Sequence, residues 1–242
     1  MHLSNRLQAV ADLVTPGSRV ADIGCDHAYI SIYLVEHKIS PHVIAMDVNQ
    51  GPIDRAKENI IKYGYEDRIE TRKSDGLEKL KAGEADTVLI AGMGGALTIQ
   101  ILTRYKEVTH SLKELILQPQ SEIHLVRRAM RNIGFIITEE NMMKEDGKYY
   151  VMMRAKANAP AANKEANTPV RTEHDYFGRL LLERKNPVLR EFLLKEQKRC
   201  QAILKALEAE PTENSLERQR EIAEILERID TALGYYWKGN DR

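Results

Sequence analysis

The sequence predicts an α/β protein: an open, mainly parallel sheet closed by an antiparallel hairpin, followed by a small helical domain. Three observations carry this. Short β-branched or apolar runs alternate with helical patterns up to about residue 155, which is the signature of βαβ units. Two further runs meet at Glu145-Asp146-Gly147, a hairpin signal. Beyond an Ala-, Asn- and Pro-rich stretch at 157–170 the apolar pattern becomes helical, so that stretch reads as a linker.

The elements follow in order. The opening MHLSNRLQAVADLV is amphipathic and carries Arg6 and Asp12 inside its pattern, unlike a secretory signal. Strands are expected at 19–23, 43–47, 68–74, 86–92 and 114–119, with helices at 28–38, 52–64, 96–108 and 122–134 between them. GFIITEENMMK (134–144) and KYYVMMRAK (148–156) form the hairpin, so the last strand runs antiparallel. The first domain is therefore 1–156, the linker 157–170 and the second domain 171–242. There HDYFGRLLLERKN (174–186) reads as one short helix with Phe177, Leu180 and Leu181 on one face. Asn186-Pro187 caps and opens a longer helix, striped by Leu189, Phe192, Leu193, Cys200, Ile203, Leu204 and Leu207. Glu210-Pro211-Thr212 breaks it. Leu216, Ile222, Ala223, Leu226, Ile229 and Leu233 then make a second stripe, which predicts an antiparallel, coiled-coil-like helical hairpin.

Composition excludes several classes. At 242 residues, 43% hydrophobic and 30% charged, the chain reads as a soluble globular protein, and no apolar run approaches the roughly 18 residues of a membrane span. Cys25 and Cys200 are far apart with no CxxC, so neither a disulfide framework nor a metal site is expected, and a reducing cytoplasm is the default. The formal net charge is zero. Any nucleic-acid site must then be a local patch.

The first strand runs into ADIGCDHAYI, residues 21–30, where one glycine stands and Asp26, His27 and Ala28 occupy the places of further glycines. In an open parallel sheet the ligand binds at the carboxyl ends of the strands. A dinucleotide pyrophosphate needs close backbone approach and a helix N-terminus free of negative charge, and Asp26 would repel it. S-adenosylmethionine has no phosphate and carries an ammonium and a sulfonium, which suit acids at the loop. Asp47 ends the second strand, placed to accept both ribose hydroxyls. SDGL (74–77) follows the third strand and AGMGGA (91–96) the fourth, where an Asp can hold the adenine amino group and backbone lies exposed.

ADIGCDHAY, AMDVN, SDGL, IAGMGG and LQPQ, followed by the helical hairpin, resemble the bacterial tRNA (adenine-22-N1) methyltransferases over nearly the whole chain. The resemblance implies a Rossmann-like class I methyltransferase domain, S-adenosyl-L-methionine as donor with S-adenosyl-L-homocysteine as product, and a C-terminal domain that helps to hold tRNA. No metal and no membrane partner are expected, and a monomer is the expectation. The cofactor residues would be Asp22, Gly24, Asp47, Val48, Asn49, Ser74, Asp75, Gly76, Ala91, Gly92, Met93 and Gly94. The linker is unusually rich in Ala and Asn for such a protein.

Adenine N1 carries a lone pair, so positioning rather than a strong base should supply much of the acceleration. Asp26 and His27, at the mouth of the first turn, are the catalytic candidates for the positive charge that develops on the base. A capping or cofactor-ammonium contact is the other reading of Asp26, and a structural hydrogen bond that of His27. For tRNA the candidates are Gln118 and Gln120 after the fifth strand, Arg6, and a patch of Arg127, Arg128 and Arg131 with Lys144 and Lys148. Tyr235, Tyr236 and Trp237 either stack on a base or lock the tail. Two other readings stay open: a small-molecule methyltransferase whose helical domain is a lid or dimerisation arm, and a non-catalytic binding module.

Overall fold

The structure, a computed structural model, describes residues 1–158, 171–209 and 213–237. The chain divides into two compact units, Met1–Thr168 and Pro169–Arg242. Most of the expected linker, from 159 to 170, and the helix break at 210–212 lie outside the described residues.

The first unit opens with α1 (Asn5–Ala11), capped where the Ser4 hydroxyl accepts the Leu7 N–H. Then follow β1 (Val20–Ile23), α2 (Tyr29–Glu36), β2 (Val43–Asp47), α3 (Gln50–Tyr63), β3 (Ile69–Lys73) and β4 (Thr87–Ala91). The chain continues through α4 (Gly95–Arg104), α5 (Lys106–Ser111), β5 (Glu114–Gln118), α6 (Ile123–Asn132), β6 (Phe135–Glu145) and β7 (Lys148–Ala157). The seven strands form one sheet in the order β3-β2-β1-β4-β5-β7-β6. β1 to β5 pair in parallel, and β7 inserts antiparallel between β5 and β6. Every residue of β1 and of β5 is buried, as strands covered on both faces require. Asp146 and Gly147 both have positive φ, 49° and 75°, the turn whose twist matches a two-residue hairpin. The order in which strands are added reverses at β1, with β2 on one side and β4 on the other, so the carboxyl ends of the parallel β1 and β4 frame the crevice where a ligand is received.

The helix expected at 96–108 is two helices. Tyr105, at φ −109° and ψ 60°, leaves the helical region and turns α5 away from α4.

The second unit contains α7 (Thr172–Phe177), α8 (Arg179–Glu183), α9 (Pro187–Ala209) and α10 (Glu213–Trp237). The single helix expected at 174–186 is broken at Gly178, whose φ of 86° no helix accommodates. Asn186 caps α9 as anticipated, its Oδ1 accepting the N–H groups of Val188 and Leu189 at 3.0 Å. α9 and α10 pack together through Leu189, Leu193 and Cys200 on one side and Ile222, Ile229, Ala232 and Leu233 on the other. Leu216 and Ala223 are exposed rather than part of this stripe. Ser215, Ile222 and Ile229 recur every seven residues and are buried; Leu216 and Ala223 stand one residue, about 100° of helix, off that seam. Tyr235 and Tyr236 lock the end of α10: the Tyr235 hydroxyl lies 2.8 Å from His174 Nε2, and the Tyr236 hydroxyl donates to the Asn186 carbonyl at 2.9 Å.

Candidate active site

The turn after β1 is wound tightly. Gly24, Asp26 and Ala28 all have positive φ, at 73°, 46° and 57°. Asp tolerates this conformation better than most side chains, Ala poorly, and such backbone strain concentrates at functional sites. The Gly24 and Cys25 N–H groups donate to the Met46 carbonyl at 2.8 and 3.0 Å, tying the turn to β2. A Cβ at residue 24 would stand 2.3 Å from Met93 Cε. Gly24 therefore leaves a cradle in its backbone, and the flexible end of Met93 reaches over it from the β4–α4 loop.

Asp22 is buried and accepts a 2.7 Å hydrogen bond from the Ser31 hydroxyl. Burial pushes its carboxyl up to about 6, against the Ser31 bond that lowers it and with the nearby charge of Asp47 raising it further. Burial and the same acids also push the Cys25 thiol far up, so Cys25 is an inert core thiol. Asp47 accepts the Asn49 N–H at 2.9 Å, while its carbonyl receives the Ser74 N–H. Val48 and Asn49, beside it, are exposed. Two acids thus stand at the carboxyl ends of β1 and β2, the charge of Asp47 raising the cost of ionising Asp22, and a cationic ligand would relieve Asp22.

Asp26 is exposed and bound to Arg55 at 3.0 Å. His27 Nε2 lies 3.7 Å from the other Asp26 oxygen, and its ring stacks on Tyr29 with centroids 5.2 Å apart. Asn59 fixes the His27 carbonyl at 3.0 Å. In the loop after β3 the buried Ser74 hydroxyl donates to the Gly76 carbonyl and accepts the Lys79 N–H, which makes it a brace of the loop. Asp75 is exposed and pairs with Arg104 at 3.2 Å. Gly76 turns at φ 57° against Ile101.

The loops after β4 and β5 are stitched together. Gly92 N–H donates to the Gln118 carbonyl, and Gln120 N–H to the Met93 carbonyl. Ser121 Oγ accepts the Gly95 N–H, and Glu122 accepts that of Ala96, so two otherwise unpaired donors at the start of α4 are capped from the neighbouring loop. Only glycine fits at 95: a Cβ would stand 2.4 Å from the Ser121 carbonyl oxygen. Ala91 and Gly94 complete this rim.

Arg6, from α1, reaches into the same place. Its Nη1 donates to Gln118 Oε1 at 2.6 Å, its guanidinium lies 5.4 Å over the Tyr150 ring, and its backbone N–H donates to Glu145. A Cβ on Gly92 would lie 3.6 Å from Gln120 Nε2 and 3.9 Å from Arg6 Nη1. Arg6, Gln118 and Gln120 therefore converge at the open face of Gly92. Gln118 is buried and Gln120 exposed.

The residues matching the family described as "Methyltransferase domain" are 3–153. Over 236 residues the chain is 33% identical to the tRNA (adenine(22)-N(1))-methyltransferase of Bacillus subtilis, covering 97% of this chain and 98% of that one. The chain belongs to the tRNA (adenine(22)-N(1))-methyltransferase family. The crystal structure of the B. subtilis M1A22 tRNA methyltransferase TrmK superposes with a TM-score of 0.83, at 34% identity and 96% and 98% coverage of this chain and that one. The Streptococcus pneumoniae protein Sp1610, solved in complex with S-adenosyl-L-methionine, gives 0.82 at 28% identity, covering 96% and 100%.

One candidate for tRNA contact is overturned by burial. Arg127 cannot join a phosphate patch, because it is buried on α6 and bound to the equally buried Glu140 of β6 at 2.7 Å. A buried cation of this kind is held by its partner carboxylate and has no surface to offer. Arg128 and Arg131, on the same helix, are exposed. Sequence reasoning missed Arg55, Arg104, Tyr29 and Tyr150. Tyr29 lies inside the DHAY motif and was within its reach; the other three are joined to the site only by the folding of the sheet. Among the described residues there is no group of three or more His, Cys, Asp or Glu side chains arranged to hold a metal ion, and no helix is long and apolar enough to cross a membrane.

Proposed function

We infer that this chain transfers a methyl group from S-adenosyl-L-methionine to N1 of adenine 22 in tRNA. The observation that carries the reading is the acid-lined, glycine-poor turn after β1 beside the Arg6–Gln118–Gln120 cluster, in a chain of this family. The residues present fit the cofactor: a backbone cradle at Gly24, a buried Asp22 that a cation would relieve, and Asp47 at the end of β2. When bound, it supplies a methyl group on a sulfonium.

Asp47 would hold the ribose hydroxyls, Asp75 the adenine amino group, and Asp22 with the Gly24 turn the methionine end. Val48, Asn49, Ser74 and Gly76 shape the adenosine side, and Ala91, Gly92, Met93 and Gly94 the wall between cofactor and substrate. Adenine N1 lies on the pairing edge, so the base must leave its stack to react. Gln120 would hydrogen-bond that base, with Gln118 held in one amide orientation by Arg6. The methylated base is a cation, and Asp26 would stabilise the charge as it develops; His27, stacked on Tyr29, would border the base. Arg128 and Arg131 remain candidates for phosphate contact, with 171–242 as a tRNA-holding domain joined through 157–170. The enzyme would act as a monomer in the cytoplasm.

The test is methyl transfer from labelled donor to unmodified tRNA, followed by nucleoside mapping. Label appearing as 1-methyladenosine at position 22 is expected. Label at another position or on another atom would overturn the assignment. Calorimetry adds an independent measurement: S-adenosylmethionine is expected to bind and a nicotinamide dinucleotide is not.

A further inference from the structure

The three aromatic residues that end α10 have different fates. Tyr235 and Tyr236 are half-buried and their hydroxyls are bonded within the unit. Trp237 is 60% exposed, the most exposed large aromatic among the described residues. The guanidinium of Arg190, from the first turns of α9, lies 5.1 Å over its ring. The Tyr236 bond to the Asn186 carbonyl pins this end of α10 against the α8–α9 turn, which carries the exposed Arg184 and Lys185. The neighbouring acid Glu183 faces Arg179, at 3.6 Å. On a chain of zero net charge, cations and an exposed indole are thus gathered at one end of the helical hairpin.

An indole left 60% exposed gains little from burial in this unit, and its π-face is the chemistry that receives a nucleobase. A guanidinium beside it both stacks and binds phosphate. We propose that Trp237 and Arg190 form a second RNA contact, in which an unpaired nucleobase of the bound tRNA stacks on the indole and an adjoining phosphate engages Arg190. The proposal rests on the reading of this chain as a tRNA methyltransferase and adds a contact distant in sequence from every residue of the candidate active site.

Trp237 is the one tryptophan of the chain, so its emission reports this contact alone. Titrating unmodified tRNA transcript into the full-length protein is expected to quench that emission with the same midpoint as binding measured by gel retardation. Trp237→Ala is expected to raise the tRNA Kd by about 5- to 150-fold, the range for one base stacked on an aromatic ring. Trp237→Phe should keep part of the affinity, and it guards against a folding defect in the alanine variant. Arg190→Ala should weaken binding and flatten the salt slope by about one ion. With all three, kcat at saturating tRNA and the Kd for S-adenosylmethionine should match the parent, because the contact holds tRNA without touching the reaction. If the parent methylates tRNA while its emission stays constant and the variants bind normally, the contact is overturned and the enzymatic reading stands. If the parent neither binds nor methylates tRNA, both fall.

Discussion

Asp22 is a buried carboxyl with a serine hydroxyl for support and a second acid nearby, and that arrangement has a sign. Its folded pKa of about 6 lies above the ordinary carboxylate value, so between roughly pH 4 and 6 the native state binds more protons than the unfolded chain. Stability contributed by this group is therefore full below that window and is lost as pH rises through it. The ceiling is about 3 kcal/mol, since each tenfold change in proton affinity is worth about 1.4 kcal/mol. Asp22→Asn, whose side-chain oxygen can still accept from Ser31, is expected to raise Tm above pH 6 and leave it unchanged near pH 4. It should also bind S-adenosylmethionine more weakly, since it removes a charge opposite a cation. Equal Tm values across the whole range would exclude the strained-acid account. Asp47→Ala is expected to weaken the cofactor by about 1–3 kcal/mol, the worth of a hydrogen bond to a charged group, with the fold intact; an unaltered calorimetric Kd would remove Asp47 from the site. Asp26→Ala should cost about tenfold in turnover, or about 1.4 kcal/mol of barrier, and less in cofactor affinity. Equal losses in both would assign Asp26 to the methionine ammonium instead. The acids and the glycine of this site were legible in the sequence because each ends a strand or makes a turn, and those are local facts. Arg55 and Arg104 were not, because each meets its acid, Asp26 and Asp75, across 29 positions, a pairing that only the order of the strands creates.

At the scale of elements, two ties between neighbouring segments matter more than the helices they join. The first is the seam between the β4–α4 and β5–α6 loops. Gly95→Ala puts a methyl group against the Ser121 carbonyl, and backbone has no far end to swing aside. The gain in helix propensity, about 0.5–1 kcal/mol, is outweighed by overpacking of about 1–3 kcal/mol. The variant is expected to melt at lower temperature and to lose tRNA methylation disproportionately, since Gln120 rides on the displaced loop and Gln118 ends the strand that leads into it; a rise in Tm would show that the seam yields freely. The second tie is the buried Arg127–Glu140 pair between α6 and β6. Removing one partner of such a pair costs about 3–5 kcal/mol, so Arg127→Ala should impair folding, whereas a phosphate-binding arginine would leave Tm alone and weaken only tRNA. The strands, the hairpin and most helices were readable because apolar periodicity and turn chemistry are encoded within each segment. Gly178 and Tyr105 read as helix interior because a single break inside a continuing apolar pattern leaves the period almost unchanged. Leu216 and Ala223 misled for a related reason: an apolar residue one step off the seam looks like part of it until the partner helix is in place.

The whole molecule joins a catalytic sheet to a helical hairpin through a stretch of low apolar content, and its charge sums to zero. A neutral protein gains little from long-range steering of a polyanion, so the tRNA contacts proposed above, some on each unit, would act at short range. The first unit, Met1–Thr168, contains the entire sheet and every residue proposed to bind the cofactor. A chain ending at Thr168 is accordingly expected to fold, with a cooperative melt, and to bind S-adenosylmethionine with the affinity of the full-length protein. Without the second unit it should lose most of its tRNA affinity and nearly all methylation at ordinary tRNA concentrations. Each phosphate contact removed also removes a released counterion, so log Kd plotted against log salt should be shallower for the fragment than for the full chain. Measuring binding and turnover side by side separates two causes of lost activity. A fragment that binds tRNA normally but methylates slowly would make the hairpin a lid over the active site. One that methylates tRNA at the full rate would leave the hairpin with no part in catalysis or in substrate capture.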